Sequence, residues 1–206
     1  MSNTAHPTPS REPPSRAPLT LDDLLTLGAP ALRAIMDAAR PLDLDDLAGR
    51  VYLGVDLSLP KPLTRLLWKT FRKTFYRDPT TGAVRGWNVR MEQTGVGGAR
   101  VPKRGRDGAP ITFGHYVVRD GATLRWPSGY QCAHYLDYGV AGNARTDPAR
   151  FACTPLVAVN EGSSALLLGW EIMRVGPRLM PLPLYWALQA DGPLDGVVEP
   201  PRRPQV

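Results

Sequence analysis

The chain has 206 residues, a formal charge of +6, 43% hydrophobic residues and 21% charged residues. These are the values of a soluble globular protein with room for one well-buried core. No charged start followed by an apolar run marks a secretory leader, no apolar run approaches a membrane span, and two cysteines, Cys132 and Cys153, do not make a disulfide framework. The expectation is a cytoplasmic protein with free thiols.

Charge is unevenly spread. Residues 20–46 hold six Asp against two Arg, whereas residues 61–125 hold fourteen Lys and Arg against four acids. A basic middle points to an anionic partner such as a lipid headgroup, carboxylate, phosphate or nucleic acid.

Residues 1–18 carry five Pro among Ser, Thr and Arg and read as a disordered tail. Thr20 reads as a helix N-cap, with Asp22 and Asp23 in the first turn and Leu19 and Leu24 placed as a hydrophobic staple. Pro30 suits the first turn of a second helix running through Ala39. The two helices are expected to close one end of the domain or to lie on its outside.

From Val51 the pattern alternates, with Val51, Leu53, Val55 and Leu57 on one face. Gly49 and Tyr52 match the Gly-x-Trp-Tyr of the first lipocalin strand, although Val51 stands where that family has its tryptophan. Leu136-Asp137-Tyr138 is similar to the family's Asp-Tyr element. The chain thus resembles the lipocalin-like (calycin-type) barrels over about a dozen residues. That resemblance implies an antiparallel barrel around an apolar ligand cavity.

Lys61–Tyr76 fits two patterns. As a helix it sets Lys61, Arg65, Lys69, Arg72 and Lys73 on one side and Leu and Phe on the other. The turn signal at Asp78–Gly82 instead favours a strand through Phe71–Arg77. The compromise is a short helix at 62–69 running into a strand. Further strands are expected at Val84–Gln93, Ile111–Arg119, Ala122–Trp126 (after an Asp120-Gly121 turn), Tyr130–Tyr138, Leu156–Val159, Ala165–Val175 and Leu184–Gln189. Thr94–Pro110 reads as a long basic loop.

Eight or nine short strands joined by turns indicate a mainly β fold, an antiparallel barrel or sandwich. A barrel of about eight strands leaves no exposed sheet edge and is wide enough for one small ligand. The expected organisation is one barrel domain over 19–198, preceded by short α-helices, with a loose tail at 199–206.

Residues for chemistry are sought among polar groups on apolar strand faces. His115 shares a face with Ile111, Phe113 and Val117, and His134 with Tyr130, Cys132, Leu136 and Tyr138. If both faces point inward, the imidazoles line one cavity as polar anchors, or one acts as a general base with Asp137 or Tyr138 assisting. Trp87, Trp170 and Tyr138 complete the expected ligand-binding set; Arg90 and Glu171, opposite the main apolar stripes, are expected in solvent. Cys132, His134 and His115 do not make up the ligand set of a structural zinc site, so no metal and no cofactor is expected.

The favoured function is a small-molecule binding barrel for a hydrophobic or amphipathic ligand. One alternative is a barrel enzyme (isomerase, cyclase or hydrolase-like) with His115 or His134 as base. Another is a membrane-surface or protein-interaction module whose anion contacts are Lys61, Arg65, Lys69 and Lys73. Nucleic acid is not expected, because the basic residues are not interleaved with exposed aromatics on a strand face.

Overall fold

The structure, a computed structural model, describes residues 17–58 and 69–205. Eight strands close into an antiparallel barrel in simple chain order, with the last strand pairing the first. They are β1 (Arg50–Asp56), β2 (Thr70–Arg77), β3 (Val84–Arg90), β4 (Thr112–Asp120), β5 (His134–Asp137), β6 (Cys153–Ala158), β7 (Leu166–Val175) and β8 (Arg178–Pro193). Among the described residues three short helices precede them: α1 (Leu21–Thr26), α2 (Ala29–Asp37) and α3 (Leu44–Leu47).

Local chemistry explains the ends of these elements. Thr20 and Asp23 form a reciprocal capping box at the start of α1, which satisfies two backbone donors the helix cannot satisfy itself. Thr20→Ala is expected to lower stability by about 1 kcal/mol, read as a shift of the urea midpoint; an unchanged midpoint would show that the cap contributes nothing to the fold. Asp78 accepts from the backbone N–H of Thr80 and Thr81 and binds Arg85 at 2.7 Å, closing the β2–β3 turn. Gly176-Pro177 forms the two-residue tip between the Val175 and Arg178 partners of β7 and β8.

Two apolar layers lie back to back across the barrel wall. Inside, Tyr52, Phe75, Tyr116, Leu136, Leu156, Leu167 and Leu188 belong to one cluster, joined by Leu42 and by Leu47 of α3. Outside, Leu53, Val55, Leu166, Leu168, Trp170, Ile172 and Ala187 pack with Leu21, Leu24, Leu32 and Met36 of α1 and α2. The helices therefore cover the β1–β8–β7 wall, while α3 plugs the end where β1 begins and β4 finishes.

The structure corrects several expectations. Ala122–Trp126 is not a strand: Asp120 caps a 3-10 turn at Gly121–Thr123, and β4 pairs β5 directly. The cause is the close seat of Gly121 against the Cys132 backbone, fixed by the Trp126 indole donating to the Gly121 carbonyl at 2.8 Å. The strand expected over Tyr130–Tyr138 shrinks to β5. The expected helix at 62–69 lies outside the described residues but for Lys69, which precedes β2. The C-terminal segment is not loose: Arg202 and Gln205 donate backbone N–H groups to the carbonyls of Gly142 and Val140.

Candidate functional site

The open end of the barrel is built from the last residues of β1, β3, β5 and β7 and the first of β2, β4 and β6. Inside it lies a cavity of about 360 Å³, walled mainly by Phe71, Phe113, Ala149, Ala152, Leu184 and Trp186. Among the described residues four polar side chains enter it: Lys73 from β2, Asn88 from β3, Tyr138 beyond β5 and Glu171 from β7, with Asp56 at the rim.

Lys73 is 1% exposed. Its ammonium donates to the Tyr138 hydroxyl at 2.7 Å and sits 4.5 Å from the Tyr116 ring centre, 4.8 Å from Trp186, 5.3 Å from Tyr138 and 5.8 Å from Phe71. Burial pulls its pKa down from 10.5 to about 7, against the opposing charge of Glu171. The ring faces also favour the cation, so they work with Glu171 and against desolvation. Burial raises the Glu171 carboxyl above its usual range, with Lys73 pulling the other way. Its Oε2 accepts from the Trp186 indole at 3.4 Å and from the Thr154 hydroxyl at 3.5 Å. Among the described residues Lys73 has no ion pair within 4.0 Å, so the amine and the carboxyl face one cavity without touching.

Asn88 carries the remaining polar signal. Its Nδ2 donates to the Gly114 carbonyl at 2.9 Å, whereas its Oδ1 is buried without a partner. Such an acceptor costs about 1–3 kcal/mol to leave unmade, which a donor on a bound molecule would recover.

Glycines make room for the large interior rings. A Cβ at Gly54 would lie closer than 3.0 Å to the Phe71 ring, and one at Gly169 equally close to the Trp186 indole. Each ring lies flat across a neighbouring strand instead of standing in the lumen, which keeps the cavity open.

Of the five residues expected to bind ligand, only Tyr138 lines this cavity. Trp170 lies outside the barrel, stacked on Tyr185 at 6.2 Å beneath the Arg33 guanidinium. Trp87 is also outside, beside Tyr76 and Val89. His115 sits against Trp87 at 6.2 Å; burial and the Arg85 charge lower its pKa to about 4. The alternation breaks at Gly114, whose φ of +53° puts Phe113 and Tyr116, not His115, at the lumen.

His134 shares the strand face of Leu136 and Tyr138 but lies at the closed end, opposite Asp120, about 13 Å along the strand from Tyr138. Asp137 points outward, where it accepts from the Tyr135 hydroxyl and the Gly139 N–H and lies 3.7 Å from Arg119. The three candidate catalytic residues are thus not brought together. Among the described residues no three His, Cys, Asp or Glu side chains gather as metal ligands.

Of the expected anion contacts, Lys61 and Arg65 lie outside the described residues. Lys69 donates through Nζ to the Asp56 carbonyl, and Lys73 is interior, so the two do not share a surface stripe. Glu171, expected in solvent, is part of the cavity. Its sequence signal is an acid in the middle of an apolar strand, and that of Lys73 is a cation flanked by Phe71 and Phe75.

Comparison of the chain with protein-family models, with curated proteins and with solved structures finds no match. A second depression, about 300 Å³ between residues 139–150 and the C-terminal segment, is lined by Arg145, Arg150, Arg202 and Arg203. It holds no buried, unpartnered polar group among the described residues.

Proposed function

We propose that the barrel binds a small amphipathic molecule, apolar body against the rings at the open end and polar end at Lys73, Tyr138, Asn88 and Glu171. The observation that carries this reading is a buried amine beside an unpartnered amide oxygen at the base of an open, mostly apolar cavity. Sites of this size and character, with few polar groups in a greasy wall, are what small-molecule pockets use. Closed eight-stranded architecture also supports the lipocalin-like reading of the sequence, since barrels of this size hold one small ligand. Cys132 and Cys153 are both buried and unbridged, which supports assigning the protein to a reducing compartment such as the cytoplasm.

The test uses N-phenyl-naphthylamine, a neutral apolar fluorophore with one N–H donor. It is expected to bind at one site per chain. Leu184→Trp, at the half-buried cavity wall, should weaken binding by about tenfold or more while leaving the urea midpoint in place. Val175→Trp, on the exposed tip of the β7–β8 hairpin, should leave binding unchanged. Equal binding by both variants would place the dye elsewhere and sink the cavity reading.

A further inference from the structure

We propose that the ligand is a small aldehyde or ketone and that Lys73 captures it as an imine, with Glu171 as proton donor and then counter-ion. This rests on the cavity reading above and names the chemistry of its polar end.

Charge balance separates this from the simpler idea of an anion bound to a lysine. Among the described residues the cavity holds one cation-forming group, Lys73, with the acid Glu171 inside and Asp56 at the rim, and Lys73 and Glu171 each sense the other's charge. A carboxylate or phosphate would bring a second negative charge beside Glu171 into a mostly apolar enclosure, which is costly without a second cation. A carbonyl compound brings none. Tyr138, whose phenol is held protonated by burial, lies 2.7 Å from Nζ and is placed to donate a hydrogen bond to a carbonyl oxygen there. The apolar enclosure also favours a neutral, nucleophilic amine.

The step balances without any further reagent. The Nζ lone pair adds to the carbonyl carbon while the C=O π pair moves onto oxygen. One hydrogen from nitrogen and the proton of the Glu171 carboxylic acid leave with that oxygen as water. The products are an iminium on Lys73, a Glu171 carboxylate facing it, and one water. Groups facing Nζ that set its charge are Tyr116 from β4, Tyr138 beyond β5 and Glu171 from β7, with Asp56 of β1 at the rim.

The chain has only four lysines, Lys61, Lys69, Lys73 and Lys103, so three serve as internal controls. The full-length protein is incubated with trans-cinnamaldehyde, reduced with cyanoborohydride and mapped by peptide mass. Binding of cinnamyl alcohol, which cannot form an imine, is followed in parallel by displacement of N-phenyl-naphthylamine. The expected result is one reduced adduct, on Lys73, formed about tenfold or more faster than on Lys69 or Lys103 and slowing as pH falls below about 7. Lys73→Met should bind the alcohol and give no fast adduct.

If the alcohol binds but Lys73 labels no faster than the other lysines, the imine proposal falls and the cavity reading stands. If neither alcohol nor dye binds, both fall. The wild-type map alone decides, whatever the variant does to folding.

Discussion

Gly86→Ala is expected to be among the most destabilising single changes in this chain, at about 3 kcal/mol. Gly86 is buried in β3 opposite Tyr116. The Tyr116 hydroxyl crosses it to donate to the Thr74 carbonyl of β2. An added Cβ would sit closer than 3.0 Å to that carbonyl oxygen and to the phenol ring. The first obstacle is backbone, so no rotamer change relieves it: β2 and β3 must separate, and Tyr116 must give up the Thr74 carbonyl that satisfies its buried hydroxyl. Gly97→Ala, at an exposed position with nothing within 4 Å, should stay within about 0.5 kcal/mol of wild type. Urea unfolding of both variants checks the pair; a Gly86→Ala midpoint as high as that of Gly97→Ala would mean that β2 and β3 do not approach as closely as described.

The second large effect is on the pH dependence of stability. Lys73 in the folded chain has a pKa of about 7 against 10.5 unfolded, so between those values the unfolded chain holds one more proton. Stability therefore rises with pH in that window, at about 1.4 kcal/mol per pH unit at most, and below about 7 the cost of burying the cation is fully present. Other groups bound the window. Burial raises the Cys132 and Cys153 thiols from 9.0 to about 12 and about 11; unfolding frees them to ionise, so they lower stability above about 9.

Burial likewise raises the tyrosines facing Lys73, Tyr116 and Tyr138, which act in the same direction at higher pH. Glu171, raised from 4.5, lowers stability as pH climbs through its own range. His115, lowered from 6.5 to about 4, contributes stability that is lost as pH falls between those values. Because most of these groups are common to wild type and Lys73→Met, the difference between the two curves isolates the lysine. Wild type is expected to gain on the variant between pH 7 and 9. Parallel curves there would show that Glu171 and the ring faces keep the ammonium charged, and would remove the nucleophile on which imine capture depends.

Much of the barrel is readable from residue order because its strands and turns are local decisions. Period-2 alternation marks β1, β3 and β7, an apolar run marks β6, the turn residues at Asp78–Gly82 and Asn160–Ser163 separate strands where the structure separates them, and Thr20 announces α1. Among the described residues no helix is long and apolar enough to cross a membrane.

Alternation could not say which face of each strand is inside, because the wall is buried on both. In β7 the stripe Leu166, Leu168, Trp170 and Ile172 looks like a lumen face, but α1 and α2 cover it from outside. The lumen takes Leu167, Gly169 and Glu171, a set that reads as the weaker face. His115 was displaced from the cavity by a left-handed glycine, and Lys73 entered it from a segment that also fits a cationic helix. Sequence by itself determined most of the strands and turns and the antiparallel class, since backbone hydrogen bonding and side-chain period act over a few residues. Tertiary structure decided the site, because only closure of β8 onto β1 and the docking of two helices choose which side chains share the enclosed space.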